Sequence, residues 1–388
     1  MSRLLLLALV PNVCFAWGFD GHRRLASLMH EPLPAAHCLR GFYAARQTPA
    51  LQDRACDPDR LRGSDPNEAT RHYLEIDWVT PPSAYPRDWQ QALEQLRQFA
   101  TRNGTVPWRV EEQYAGLVSA FRARDVTQVL DRSFFMSHYV TDAFSVLHDT
   151  KNFDPNDGLH GRWESDMLDV TANLDAITAQ ARGLFGTPGR VDPRFATFDI
   201  VLVGNGLVPQ LISADVAAGG LDAGSGYQRQ VLFAQSRELT ARRWADALTV
   251  MSSLLWMAWA EAGAPELPGF TPGCSRAQPM GPAVLRGYPP PGGWTPLPGP
   301  DAGRPDAGRP DAGVDAGTGF GGGSAGGTAG GTGGGGSFGP FPDAGPPGPS
   351  EPPEAVGCQC HAAAGWWLLV VLPALLRRRA STARAGQP

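Results

Sequence analysis

Five residues within 137–166, SHYVTDAFSVLHDTKNFDPNDGLHGRWESD, have the types and spacing to hold metal ions: His138, Asp142, His148, His160 and Glu164. His138 and Asp142 are four apart, as are His160 and Glu164. Residues four apart share one face of a helix, so each pair can close on one ion. His148 follows Asp142 by six residues, which is about 240° beyond a full helical turn. It can join the others only if the helix ends or bends first. The segment after it, DTKNFDPNDG, carries the Asn, Asp, Pro and Gly that interrupt regular structure and is the expected break. Imidazole and carboxylate donors suit zinc, so the pattern points to zinc ions held between helices.

The elements that would position these groups read as helices. Apolar residues recur at three and four over 87–101, 110–124, 126–147, 161–184, 195–218 and 227–262. The segment 17–38 opens with a short cap and continues as a helical pattern, whereas 51–78 reads as mostly irregular. No run of alternating strands stands out. The expected fold is therefore all-α, a multi-helix single domain over residues 17–265 with ample length for one core.

Both ends of the 388-residue chain differ in composition from this body. Residues 1–16 contain the apolar run LLLLALV and end on Ala16, the pattern of a signal peptide cut before Trp17. Residues 266–356 are rich in Pro and Gly, with PDAGR-like units, and read as a disordered linker. Residues 357–388 combine GCQC, an apolar run over 362–376 containing Pro373, and Arg377, Arg378 and Arg379. By itself that segment reads as a marginal C-terminal membrane anchor with its basic residues on the cytoplasmic side.

The net charge of -5 argues against a strongly basic nucleic-acid-binding surface. A zinc cluster would still attract phosphate locally. Of six cysteines, Cys14 would leave with the signal, and Cys358 and Cys360 belong to the tail. A Cys38–Cys56 disulfide is the expected pairing in an oxidising compartment, with Cys274 left over, although spacing alone leaves the pairing open.

Two further histidines stand in spaced contexts, His22 in WGFDGH and His72 in EATRHY, the latter preceded by Asp57 and Asp59. Taken in order, Trp17, His22, Asp59, His72, His138, Asp142, His148, His160 and Glu164 resemble the signature of one superfamily. It joins the bacterial zinc-dependent phospholipase C enzymes with the single-strand-specific nucleases of the P-one type, and the resemblance covers roughly 17–262. Asp59 is preferred to Asp57 because PDRLR matches the family's Asp-x2-Arg context, and His22 to His30 because WGFDGH matches the nuclease spacing.

The resemblance implies three Zn2+ ions. Asp59, His72, His138 and Asp142 would hold one, and His148, His160 and Glu164 a second. The third would take the amine and carbonyl of Trp17, His22 and the other oxygen of Asp142. It implies phosphodiester hydrolysis, with Asp59 as the catalytic group that orients or deprotonates water. Because an α-amine must be free to bind metal, the third site would require cleavage before Trp17.

The substrate would be a phospholipid or a single-stranded nucleic acid. Glu164 and an acidic Asp20 facing a cationic head group favour phospholipase C, whereas WGFDGH, with Tyr73 stacking on a base, favours a nuclease. The GCQC, apolar and Arg cluster resembles the C-terminal sorting signal of myxobacterial surface proteins. That implies export and sorting machinery as partners, membrane attachment through the C-terminus, and a location at the cell surface or outer membrane. A zinc-stabilised surface module that binds without turnover is the rival reading. Its sites would more commonly be saturated by Cys and His than rich in carboxylates.

Overall fold

The computed structural model describes residues 17–220, 225–276 and 280–289. The described residues fold mainly into helices and form no strand. Residues 1–16, and with them the expected cleavage point's signal side, lie outside the description. So do residues 290–388, which hold the GCQC segment and most of the expected linker.

Eight helices carry the body. They are α1 (Gly18–Leu28), α2 (Cys38–Ala44), α3 (Trp89–Leu96), α4 (Val106–Ala123), α5 (Val126–Asp142), α6 (Thr171–Arg182), α7 (Pro193–Ala217) and α8 (Ser225–Glu261). Their ends follow local chemistry. The Asp88, Asp125 and Asp192 side chains accept from the first free backbone N–H groups of α3, α5 and α7. α4 and α7 also carry Pro in their first turns, where its missing N–H costs nothing.

α4 and α5 lie along one another, α7 packs on α4 and α8, and α8 runs past α4, α5 and α6. Trp17, Trp163 and Trp244 meet in the core, with the Trp17 ring 4.9 Å from Trp163 and 5.8 Å from Trp244. All three are fully buried. α7 is long and apolar enough to cross a membrane by length and composition. Core helices of soluble proteins pass the same test, and Phe198, Val201 and Leu211 of α7 are buried here.

Several elements differ from the sequence reading. α5 stops at Asp142, and His148 stands on a separate 3-10 turn, Val146–Asp149. The break therefore falls at 143–145, before His148, and not in the Asn/Asp/Pro/Gly segment after it. Arg243 of α8 helps to fix this end: its fully buried guanidinium donates to the carbonyls of Phe144 (2.8 Å) and Ala143 (3.2 Å) and meets Asp149 at 3.3 Å. Gly204 of α7 makes room for that pair, since a Cβ there would overlap the Asp149 carboxylate. The expected helix over 161–184 is divided. A turn at Leu159–Gly161 passes into a π-helical turn, Arg162–Asp166, and α6 begins only at Thr171.

Cysteine pairing corrects the sequence expectation. Cys38 is bonded to Cys274, 236 residues away, and among the described residues Cys56 is a free, buried thiol. Cys56 lies in the turn Arg54–Cys56, which packs on α1 and α5, and its Sγ donates to the Phe19 carbonyl at 3.5 Å. Cys274 comes from the segment after α8, which is not free of the body. Ser275 N donates to Ala36 O and Cys38 N to Ser275 O. Thr187 and Val284 exchange both backbone hydrogen bonds, and the Asp246 carboxylate accepts from the N–H groups of Arg286, Gly287 and Tyr288. Leu267, Ala283 and Leu285 are buried. The packed chain thus continues past the expected boundary at 265, at least to Tyr288.

Candidate metal centre

Six segments converge on one buried cluster. α1 supplies His22; the short helix Asp57–Leu61 supplies Asp59; the end of the turn Ala69–Arg71 supplies His72. The last turns of α5 supply His138 and Asp142, the 3-10 turn supplies His148, and the α-to-π segment supplies His160 and Glu164. None of these eight side chains is more than 4% exposed. Donor atoms come within 4.8 Å of one another in three sets: His22, Asp59 and His138; His72, His138 and Asp142; and His148, His160 and Glu164.

Asp142 sits at the junction of the cluster. Its Oδ2 lies 2.9 Å from His72 Nδ1 and 3.1 Å from His138 Nε2, while its Oδ1 lies 3.3 Å from His22 Nε2. Asp59 Oδ1 lies 3.7 Å from His72 Nδ1 and 3.8 Å from His138 Nε2. In the other trio, His160 Nε2 is 2.6 Å from Glu164 Oε2 and 3.2 Å from His148 Nε2. Ser145 Oγ donates to the second Glu164 oxygen.

Two observations make the cluster suited to cations. Neither oxygen of Asp59 has a hydrogen-bond partner, although the side chain is buried, and Asp142 Oδ1 also lacks one. A buried carboxylate left so is costly unless a positive charge meets it. The histidines, in turn, are held from behind: His22 Nδ1 by Thr141 Oγ1 (3.2 Å), His138 Nδ1 by Ala55 O (2.7 Å) and His148 Nδ1 by His72 O (2.8 Å). Each therefore presents Nε2 to the cluster, the arrangement that orients metal-ligating imidazoles.

The electrostatics are those of a crowded, desolvated site. Burial, reinforced by neighbouring His138, pushes the His22 imidazole well below its ordinary range, and burial lowers His148 as well. Burial raises Asp59. At Asp142 burial acts upward too, but His138, His72 and His22 outweigh it and hold the carboxyl well below the usual range. Burial opposes charge on His138, yet Asp142 and Asp59 raise it to about 9.

The competing residues lie elsewhere. Asp57 pairs with Arg54 (2.6 Å) and Arg60 (2.9 Å) at the surface. His30 approaches Gln47 Nε2 at 3.5 Å and belongs to none of the three donor sets. Trp17 reaches the site indirectly: its indole N–H donates to Thr141 O at 2.8 Å, and its carbonyl accepts from Gly21 N. Asp20 is more than half exposed and ion-paired with Arg23 at 2.9 Å. Tyr73 is half-buried, its hydroxyl donating to Arg102 O at 3.2 Å. The structure therefore brings eight of the expected ligands together with Trp17 alongside, and leaves Asp20 in an ion pair outside them.

Sequence reading missed the groups behind the ligands. Thr141, Ser145 and Glu68 carry no motif of their own. Only the four-residue spacing of Glu68 and His72 could have drawn notice. Comparison with protein-family models, with curated proteins and with solved structures gives no match.

Proposed function

We propose that the protein is an exported, surface-tethered zinc-dependent phosphoric diester hydrolase of the phospholipase C and P-one nuclease type, with phospholipid as its favoured substrate class. The observation that carries this reading is Asp59, buried beside His72 and His138 with neither oxygen hydrogen-bonded and with Arg62 Nη1 no nearer than 3.8 Å. Nitrogen and carboxylate donors without thiolate are those expected of zinc, and carboxylate-rich sets suit catalysis better than structural closure. Asp59, His72, His138 and Asp142 would hold one ion, and His148, His160 and Glu164 another. His22, the second oxygen of Asp142 and the Trp17 backbone would hold a third. When bound, such ions supply Lewis-acid charge for a phosphodiester and lower the pKa of a coordinated water.

The chain's own groups would do the rest. Asp59 is aimed into the cluster and would orient the attacking water and accept its proton at Oδ1 or Oδ2. His22, His138 and His148, braced from behind, would keep the site in place while substrate enters, limiting reorganisation during the reaction. The site's depth excludes bulk water and makes each charge count for more.

The test is a parallel assay of the purified chain beginning at Trp17 on phosphatidylcholine, single-stranded DNA and RNA, with His148→Ala as the blank. Chelator-sensitive hydrolysis is expected, with phosphatidylcholine the best substrate. Turnover of the nucleic acids alone would assign the nuclease branch. No turnover of any by the zinc-loaded protein would sink the enzymatic reading in favour of a binding module.

A further inference from the structure

His72 differs from the other three braced histidines in what stands behind it. Thr141, Ala55 and His72 offer neutral oxygens to His22, His138 and His148. Behind His72 stands a carboxylate: its Nδ1 faces Asp142 and His138, and its buried Nε2, which makes no hydrogen bond, has Glu68 Oε1 at 3.6 Å, a charge contact longer than a hydrogen bond.

Glu68 is itself built in. It is 1% exposed and lies one helical turn before His72. Tyr139, which follows ligand His138, donates its hydroxyl to Glu68 Oε1, and Arg71 donates to Oε2 at 2.7 Å. Arg109 of α4 donates to the Tyr139 hydroxyl at 3.1 Å, lies 4.8 Å over the Tyr139 ring and stands 4.0 Å from Glu68 Oε2. A buried carboxylate is thus fixed by two arginines and a tyrosine with one edge turned to the back of a ligand histidine.

We propose that Glu68, held by Tyr139, Arg71 and Arg109, is the positioning residue that fixes the His72 ring with Nδ1 toward the cluster and strengthens one cation site over the others. The inference rests on the metal reading above. A carboxylate behind an imidazole holds the N–H on the far nitrogen and makes the near one a better donor. Neutral oxygens behind His22, His138 and His148 orient them without adding that charge. The site shared by Asp59, His72, His138 and Asp142 is therefore one whose affinity depends on an anion outside it.

The experiment measures Zn2+ retained by the full chain processed at Trp17, by elemental analysis across a series of competing-chelator concentrations. In Glu68→Gln, which keeps shape and removes charge, one zinc equivalent should weaken by about 10- to 100-fold. The remaining equivalents and the melting temperature of the metal-free protein should hold. Tyr139→Phe leaves Glu68 charged but frees it to turn, and should weaken the same equivalent by a smaller factor. Unchanged zinc retention in these variants would overturn the proposal, as would uniform weakening of every equivalent with a lower metal-free melting temperature, the mark of a structural role. If Glu68→Gln does not fold, Tyr139→Phe decides alone on the same criteria. A wild-type chain that retains no zinc would defeat the metal reading itself, a result distinct from equal retention by wild type and variant.

Discussion

Asp142 is the residue on which most of the centre depends, because its two oxygens face different histidines. Oδ2 serves His72 and His138, and Oδ1 serves His22. An amide in its place keeps one oxygen and turns the other position into a donor, which a cation cannot use. On the proposed zinc-hydrolase reading, Asp142→Asn should therefore remove two zinc equivalents together and cut hydrolysis by about 100-fold, with the third equivalent retained at His148, His160 and Glu164. Loss of a single equivalent, read by elemental analysis of dialysed protein, would count against a bridging role. At this scale the sequence was most informative. Nine positions in order implied the ligands, and eight of their side chains meet. What the sequence left hidden were most of the groups behind them, since a Thr or a backbone carbonyl acquires that role only from distant neighbours, as Thr141 does behind His22 and Ala55 O behind His138.

Among the elements, the irregular pieces position the second trio more than the long helices do. The chain reaches His160 through Gly158, whose φ of 93° favours glycine. Asp154 clasps this turn by accepting from Gly158 N and His160 N, each at 3.0 Å. The π turn that follows carries Glu164 back over His160. Asp154→Ala should cost about 1 kcal/mol, as loss of a cap does, and should weaken zinc at His148, His160 and Glu164 alone. Equal retention of all equivalents in a chelator series would refute this. A helical period read over 161–184 could not reveal the division at 167–170. The apolar spacing continues through it, and the break shows only in the backbone, where the π turn ends at Asp166 and α6 begins at Thr171.

A second element makes a prediction about pH. His37 caps α2, its Nδ1 accepting from Leu39 N at 3.2 Å, and its ring rests 4.9 Å from Trp256 and 5.3 Å from Trp259. Burial lowers its pKa to about 4, against about 6.5 for an unfolded histidine. The folded state thus favours the neutral ring. The unfolded chain binds the extra proton between these values, so stability rises with pH across that window. The His37 contribution is fully present above about pH 6.5 and is lost as pH falls through 4. Urea unfolding of the chelated protein should show wild type losing more stability from pH 7 to 4.5 than His37→Asn, which keeps a capping oxygen but does not titrate. Parallel losses in the two proteins would exclude His37 as a source of acid sensitivity.

Over the whole molecule, the segment after α8 decides how the body is closed. Pro and Gly made residues from 266 onward look unable to order themselves, and by burial alone that argument is sound. Order here comes from elsewhere: hydrogen bonds to Ala36, Thr187 and Arg190, the Asp246 carboxylate, and a disulfide to Cys38. None of these has a local signature, and Cys274 read as the odd cysteine because its partner lies 236 residues away. A link of that span removes much of the freedom of the unfolded chain, so its loss should cost about 2–4 kcal/mol. Cys274→Ser and reduction of the wild type should each lower the urea midpoint by a similar amount. Zinc retention should be unaffected, because the link joins α2 to the closing segment and contributes none of the donor atoms. Cys56→Ser should leave the midpoint sensitive to reductant, whereas a Cys38–Cys56 bond would make that variant insensitive. Alkylation of the unreduced, denatured protein followed by peptide mass analysis gives the same decision directly. A modified Cys56 with a Cys38–Cys274 linked peptide supports the closure, and a modified Cys274 would return the closing segment to the loose tether its composition implied.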